Sequence, residues 1–373
     1  MRDRCSRREF LGSSLALAAG LGTAAPALAE RAEPVREFRR RGMLHRRLGQ
    51  TDLYLSVLGF GSHTDPKFKR AAKNHSVLTE EGQKRRDRQL ARAFDLGVNL
   101  VDTYESDGQW EPVARLVRPK REKVLVSICR QFPVFVGEHV DQAAKLFGHV
   151  DLYRICVGDG AATTEEILED WDVIRKAKRA GKVRSIGIST HSERMMASAL
   201  EELEGLDYIM FPYNFIHARA DYSKFLPAAI KKGVGLIAIK PLAAGSIVKL
   251  DPKARPGSKP ENERVMLYQK QDRPLLPKVV AELTKSLQRL PDETLCQAAM
   301  RFVYSRPFMT CAMPGMFQDH ELEDNYAALT RHLELQRAEI QALDAAARLV
   351  QLSGPSWLPP CYAWLDEQWR ARS

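Results

Sequence analysis

Two carboxylates and a phenol lie close together in the sequence where an apolar segment runs into a polar loop. The segment VDTYESDGQWE, residues 101–111, contains Asp102, Tyr104 and Asp107. Many α/β enzymes keep catalytic residues at such strand ends, because the loops that follow the strands meet at one face. A carboxyl or phenol group there can transfer protons when its surroundings shift its pKa. The segment is therefore a candidate part of an active site.

Regularly alternating elements would have to position these side chains. Eight apolar runs, each followed by a helical pattern, are rich in Val, Ile, Leu and Phe without period-two alternation, as expected for covered parallel strands. The runs are Leu55–Gly61, Asn99–Tyr104, Lys123–Cys129, Asp151–Val157, Val183–Thr190, Tyr208–Asn214, Gly235–Leu242 and Met309–Gly315. Their number and spacing predict a (β/α)₈ TIM barrel of class α/β, with a doubly wound open sheet as the structural alternative.

Three segments fall outside this repeat. Residues 30–45 form a basic linker before the predicted barrel of residues 46–335. Residues 245–274 are polar and rich in Pro and Lys, and they predict an inserted loop after strand 7. Residues 336–373 predict a helical extension and an aromatic tail, which we expect to pack on the barrel because four large aromatic residues are too apolar for a free end.

The N-terminus has the pattern of a targeting signal. Ser6-Arg7-Arg8-Glu9-Phe10 is a twin-arginine motif, and a mild Ala/Leu/Gly run leads to the small-residue cleavage pattern Ala27-Leu28-Ala29. We expect residues 1–29 to be a signal peptide cleaved after Ala29. The Tat translocase would then export the folded protein to the periplasm or beyond.

Charge and cysteine usage narrow the classes of partner. The net charge of +10 falls to +8 without residues 1–29, and much of the excess lies in the basic residues between 36 and 47. No nucleic-acid-binding motif accompanies it, so nucleic acid is a weak hypothesis and a solvated basic arm is favoured. Five cysteines at wide spacings predict no disulfide framework, and no internal stretch is apolar enough for a membrane span. The oligomeric state has no sequence signal.

Seven segments in the right order resemble the aldo-keto reductase family over roughly residues 43–335. They are RRLGQTDL with SVLGFG from residue 46, VDT from 101, DLY from 151, RSIGIS from 184, PYN from 212, KPLAAG from 240, and MPG from 313 with Asn325. The resemblance implies a (β/α)₈ barrel that binds NADP(H) at its C-terminal mouth and reduces carbonyls by hydride transfer.

The family's reaction uses four side chains, and the resemblance assigns a position to each. A Tyr donates a proton, a Lys lowers the pKa of that Tyr, an Asp holds the Lys, and a His orients the carbonyl oxygen. The four positions hold Asp107 for Tyr, Cys129 for Lys (or Arg130 if the strand slips by one residue), Asp102 for Asp and Cys156 for His. Only Asp102 is retained, so the sequence predicts a degenerate site in which ordinary carbonyl reduction is impaired.

The remaining charged and aromatic residues suggest how the site has changed. Tyr104 lies three residues from the donor position, roughly 10 Å along a strand, and is interpreted as a packing residue. Asp102 without its lysine is interpreted as one half of a structural ion pair with Arg130 or another base. Arg154, expected to point into the barrel, could make the mouth cationic together with Arg130 and Lys240, which suggests an anionic ligand.

The resemblance also implies cofactor-binding positions at or after the ends of the fifth, seventh and eighth predicted strands. These are Ser189, Thr190, Lys240, Gly315 and Asn325. Gly315 leads toward a helix N-terminus, where a phosphate group could bind. Because other positions of the pattern have changed, we expect a weakened NADP(H)-binding signature.

Cys129 and Cys156 add a second set of hypotheses. The predicted barrel places them at facing positions on adjacent strands, roughly 5 Å apart. They could be apolar filling, which is favoured, a disulfide or redox pair, or ligands of a soft metal. Three functions stay open: an NADP-linked oxidoreductase with a non-standard acid, a non-catalytic barrel that binds a small molecule or a protein, and a thiol-redox or metal site.

Overall fold

Parallel strands and helices alternate along the chain, after an antiparallel sheet and a short hairpin. The computed structural model describes residues 36–61, 64–72, 75–104, 108–130, 135–157, 163–215, 224–242, 245, 247–248, 251, 253, 255 and 292–341. The strands are β1 Glu37–Arg40, β2 Met43–Arg47, β3 Tyr54–Ser56, β4 Lys69–Ala72, β5 His75–Leu78, β6 Leu100–Tyr104, β7 Leu125–Arg130, β8 Val150–Cys156, β9 Val183–Ser189, β10 Tyr208–Pro212, β11 Gly235–Ile239 and β12 Met309–Met313. The helices are α1 Glu80–Asp95, α2 Trp110–Val117, α3 Val136–Phe147, α4 Glu165–Arg179, α5 Glu193–Glu202, α6 Phe225–Lys232, α7 Leu295–Tyr304 and α8 Asp319–Ala327.

The strands β6 to β12 form one parallel sheet in sequential order. The segment 57–60 closes this sheet, because Leu58 bridges to Ala312 of β12 and Phe60 bridges to Val101 of β6, both in parallel. The amide of Ala312 donates to the carbonyl of Val57 over 2.8 Å, and the amide of Phe60 donates to the carbonyl of Leu100 over 2.9 Å. The eight-stranded barrel predicted from the sequence is confirmed.

Apolar side chains form two layers, one on each face of the sheet. One faces the helices and the other fills the barrel, as expected when successive side chains of a strand point to opposite faces. The inner cluster contains Leu48, Leu53, Leu55, Leu100, Leu152, Tyr208, Met210, Ile237, Cys311 and Met313. A Cβ atom at Gly187 would lie 2.4 Å from the carbonyl oxygen of Tyr208 and 2.7 Å from its ring. Glycine at position 187 therefore makes room for the Tyr208 ring inside the barrel.

The helices begin where their first turns are capped. The side chains of Thr79, Thr164, Ser192 and Thr294 accept hydrogen bonds from backbone amides of α1, α4, α5 and α7. Each bond satisfies an amide that has no partner within its helix. Within the described residues, no helix is long and apolar enough to cross a membrane.

The N-terminal residues differ from the prediction of a basic linker over residues 30–45. β1 and β2 form an antiparallel hairpin, and β3 extends it to a three-stranded sheet. Residues 37–40 and 43–45 of the predicted linker lie in the strands of this sheet, and Arg46, which follows them, is buried. Its guanidinium donates to the carbonyls of Tyr304, Arg306 and Met309 and so ties the hairpin to the barrel.

Other expectations are met in part or lie outside the described ranges. The sequence patterns did not predict α7. This helix begins with a capping box formed by Thr294 and Gln297. The sequence patterns also did not predict the hairpin of β4 and β5. The signal peptide, nearly all of the loop of residues 245–274, and the tail from residue 342 onward lie outside the described residues, so these remain predictions.

Candidate functional site

The carboxyl ends of the parallel strands bring several predicted site residues to one mouth of the barrel. Asp102 lies on β6, Cys129 on β7, Cys156 on β8 and Ser189 on β9. Asp107 and the side chain of Tyr104 lie outside the described part of the chain, so their assignments stay predictions.

Asp102 is held by a buried arginine from two strands away. Its Oδ1 lies 2.5 Å from Nη1 of Arg154 and its Oδ2 lies 2.8 Å from Nη2, and both side chains are almost fully buried. The hydroxyl of Ser127, on the strand between them, donates to Asp102 and accepts from Arg154. The predicted structural ion pair is confirmed, with Arg154 as its partner in place of Arg130.

The expected cationic mouth is therefore only partly present. Arg154 does point into the barrel, but the carboxylate of Asp102 neutralises its charge. Arg130 forms a salt bridge with Asp170 of α4. The third cation on which the anionic-ligand hypothesis depended, Lys240, contacts His191.

The two cysteines contact each other, but they do not face each other directly. The residue of β8 that pairs with Cys129 is Arg154, whereas Cys156 lies two residues further along and pairs with Ser189 of β9. The predicted facing positions were wrong because of this register. The thiols of Cys129 and Cys156 still form a hydrogen bond, and both residues are free cysteines. Burial, followed by that hydrogen bond, raises the pKa of Cys129 well above its usual value.

Tyr208 is a buried phenol to which the sequence analysis gave no role. It is fully buried at the start of β10, and its hydroxyl has no hydrogen-bond partner among the described residues. Burial raises the pKa of Tyr208 well above its ordinary value, so the phenol stays protonated. Gly187, which pairs with it across the sheet, was the sequence signal for a large inward-pointing neighbour.

A lysine–histidine pair lies at the ends of β9 and β11. The Nζ of Lys240 lies 2.6 Å from Nε2 of His191. Burial and the neighbouring charge of Lys240 lower the pKa of His191 to about 2, so the neutral ring accepts the hydrogen bond. Lys240 has a left-handed φ of 53°, and the side-chain amide of buried Asn214 donates to its carbonyl over 3.0 Å. The sequence analysis found Lys240 but missed His191, which follows the Ser-Thr pair at the strand end.

Ser189 and Thr190 are buried beside this pair. The hydroxyl oxygen of Thr190 accepts a hydrogen bond from the amide of Ser192 over 3.1 Å, and Ser192 in turn caps α5. Thr190 therefore supports the turn that leads into the helix. Ser189 ends β9 next to Cys156, where the resemblance places a nicotinamide contact.

The start of α8 is filled by a carboxylate of its own helix. The amides of Phe317 and Gln318 both donate to Oε2 of Glu321, the second over 2.9 Å. Burial, which outweighs these two donors, raises the pKa of Glu321 to about 7. The exposed Gly315 precedes this turn, and Asn325 is buried with an amide nitrogen that lacks a partner in the described structure. The helix N-terminus predicted to meet a phosphate already holds a carboxylate.

Comparison with known proteins decides the family. A sequence model described as "Aldo/keto reductase family" matches residues 72–348. The chain belongs to the aldo/keto reductase family. An L-glyceraldehyde 3-phosphate reductase of Escherichia coli (strain K12) is 26% identical over 289 residues, which cover 68% of this chain and 81% of the relative. An L-galactose dehydrogenase of Arabidopsis thaliana is 22% identical over 304 residues, which cover 76% and 88%.

A solved family structure has the same fold. The holo form of the aldo-keto reductase AKR11C1 from Bacillus halodurans superimposes with a TM-score of 0.63 at 21% sequence identity, covering 82% of this chain and 96% of that one. This similarity confirms the predicted fold class. The family generally binds NADP(H), and the residues described above agree with such a group at the nicotinamide end only in part. They disagree at the start of α8, where Glu321 takes the backbone donors that an anion would need.

Proposed function

We propose that this protein is a ligand-binding member of the oxidoreductase family that does not reduce carbonyls by the family's usual mechanism. The observation that carries this proposal is the buried pair of Asp102 and Arg154, with Cys129 beside it at the lysine position. The expected ligand is a small molecule bound at the C-terminal mouth of the barrel. Turnover by another acid, with NADP(H) as hydride source, is the alternative.

The chemistry of the replaced residues supports this proposal. A lysine ammonium beside a phenol lowers the phenol's pKa, whereas a buried neutral thiol at position 129 adds no positive charge. A guanidinium does not release its proton in proteins, so Arg154 cannot act as the acid. Loss of general acid catalysis alone costs about 10²–10⁴-fold in rate.

NADP(H) binding would rest on few contacts. When bound, this group supplies a hydride to a carbonyl carbon. The family resemblance assigns Ser189, Thr190 and Asn325 to this cofactor. Lys240 lies near the position that the resemblance implies for the cofactor. The carboxylate of Glu321 would repel a phosphate at the start of α8, so we expect weak binding with no preference for the phosphorylated dinucleotide.

The test combines binding with turnover on the purified protein. NADPH and NADH are titrated by fluorescence, and absorbance at the nicotinamide band is followed with small aldehydes and ketones. We expect no turnover above the uncatalysed rate and no tighter binding of NADPH than of NADH. Stoichiometric hydride transfer to a carbonyl compound would contradict the proposal. Tight, selective NADPH binding without turnover would contradict its cofactor part alone.

Export by the Tat translocase is a separate proposal that rests on Arg7 and Arg8 in the N-terminal motif. Replacing both by Lys should leave the protein in the cytoplasm, and fractionation of cells that express the wild type and the variant measures this. Equal export of the two would contradict it. We propose cleavage after Ala29, which N-terminal sequencing of the exported protein checks.

A further inference from the structure

Cys129 and Cys156 are two thiols that contact each other at the mouth of the barrel. Cys129 is 1% exposed, whereas Cys156, at the last position of β8, is exposed to solvent. Both point to the barrel interior, because Cys156 has the same parity along β8 as Arg154, the register partner of Cys129. One sulfur can therefore meet an incoming ligand, and the other lies directly behind it.

We propose that Cys129 and Cys156 form a two-coordinate site for a soft monovalent metal ion, of which Cu(I) is the biological example. Soft thiolate ligands select Cu(I) over harder cations. The proposal does not depend on the binding of any nucleotide or on carbonyl chemistry.

The register of the two strands favours a bridging ion over a disulfide. Neighbouring strands lie about 4.8 Å apart and each residue advances about 3.3 Å, so a diagonal offset of two residues separates the Cα atoms by roughly 8 Å. A disulfide requires Cα atoms within about 7 Å and sulfurs about 2.05 Å apart. A metal–thiolate bond is about 2.3 Å long, so an ion between the sulfurs spans up to about 4.6 Å. The diagonal positions of Cys129 and Cys156 therefore fit a bridging metal ion better than a disulfide.

The surroundings favour two ligands over four. Within the described residues there is no group of three or more His, Cys, Asp or Glu side chains that could hold a metal. Asp102, on the strand adjacent to that of Cys129, is bound by both Nη atoms of Arg154. Structural zinc sites are almost always four-coordinate. This geometry therefore selects against zinc.

The charge balance of the site is also suitable. Binding releases one proton from each thiol to solvent and leaves Cu(I) with two thiolates, a complex of net charge −1, with no change in oxidation state. Arg154, the register partner of Cys129, places a guanidinium group beside this complex. The exposed Cys156 offers the point of entry.

The test is a titration of the full-length reduced protein with Ag(I) and with Cu(I), the latter against a colorimetric Cu(I) chelator. We expect one high-affinity equivalent that protects Cys156 from maleimide labelling. Loss of a residue that only hydrogen-bonds to a metal ligand typically weakens metal binding roughly 10–100-fold. Cys129→Ser and Cys156→Ser each remove a ligand itself and should weaken metal binding by more than this. Cys296→Ser, which removes a partly buried thiol on α7, is the control and should bind like the wild type.

Circular dichroism and thermal unfolding establish that each variant is folded. If Cys129→Ser fails to fold, Cys156→Ala, at the exposed position, decides the question. Wild-type affinity in a folded Cys156 variant would overturn the proposal. A Cys129–Cys156 disulfide found by mass spectrometry in the protein purified without reductant would also overturn it.

Discussion

The two halves of the barrel mouth have changed in different ways. On the side of β6 to β8, the positions that the family resemblance assigns to lysine and histidine hold cysteines, and Asp102 is paired with Arg154. On the side of β9 to α8, Ser189, Gly315 and Asn325 are the residues that the resemblance assigns to the cofactor, and the carboxylate of Glu321 accepts from the amides of Phe317 and Gln318 at the helix start. In the first half a carboxylate is bound by a buried guanidinium, and in the second a carboxylate is bound by backbone amides.

The two halves show two ways in which one fold can satisfy polar groups at the same barrel mouth. A buried carboxylate or a set of free helix amides is costly unless something satisfies it. In the first half Arg154 satisfies Asp102, and in the second Glu321 satisfies the amides of Phe317 and Gln318. Both carboxylates therefore have hydrogen-bond partners within the protein.

The largest effect should come from breaking the buried pair. Asp102→Ala leaves Arg154 buried without a counter-charge, and we expect the free energy of unfolding to fall by about 3–5 kcal/mol. Urea unfolding measures this change. The double variant Asp102→Leu/Arg154→Met removes both charges and should recover most of the loss.

An exposed pair provides the control for that experiment. Arg92 and Glu323 form a salt bridge in which both side chains are about half exposed. Glu323→Ala should therefore cost no more than about 1 kcal/mol. A loss from Asp102→Ala as small as this would show that the first half of the mouth does not depend on its ion pair.

Opening the second half should alter nucleotide binding. Glu321→Ala frees the two amides and removes a negative charge at a helix N-terminus, an interaction of about 0.3–2 kcal/mol. We expect NADPH to bind up to roughly tenfold more tightly relative to NADH than in the wild type. Fluorescence titration of both nucleotides measures the ratio, and Glu323→Ala on the same helix is the matched control. An unchanged ratio would mean that Glu321 does not exclude phosphate.

Glu321 also predicts a pH dependence of stability. Its pKa is raised from 4.5 to about 7, so the folded state binds more protons than the unfolded state between these values. This contribution is fully present below pH 4.5 and is lost as the pH rises through 7. The free energy of unfolding of the wild type, minus that of Glu321→Gln, should fall over this range and be flat above it. A difference that rises with pH would contradict the assignment.

The smallest effect is a spectroscopic one at the lysine–histidine pair. Because the pKa of His191 is about 2, its ring signals should not titrate between pH 4 and pH 8 in NMR spectra. Lys240→Met removes the second cause of the lowered value and should raise the pKa of His191. Burial, the larger cause, should still hold it below 6.5. Titration of His191 near 6.5 in the wild type would show that the pair does not form.

Sequence patterns predicted the barrel well and its N-terminal sheet poorly. The apolar segments that contain Asp102, Cys129 and Cys156 have apolar residues on both faces. This pattern is typical of parallel strands that are covered on both sides. The hairpin of Glu37–Arg47 has the composition of a charged arm, yet residues 43–46 are buried, and Arg46 donates to carbonyl oxygens of residues about 260 positions away. No local pattern reports such a distant partner.

The sequence by itself determined the order of the strands and the inward direction of Arg154. Only the tertiary structure decided that Asp102 pairs with Arg154 and not with Arg130, which is nearer along the chain. It also decided that Cys156 lies diagonal to Cys129 and that Glu321 fills the start of α8. Periodicity specifies which face a side chain occupies, but hydrogen-bond register between strands and the folding back of a flexible side chain depend on contacts between distant segments.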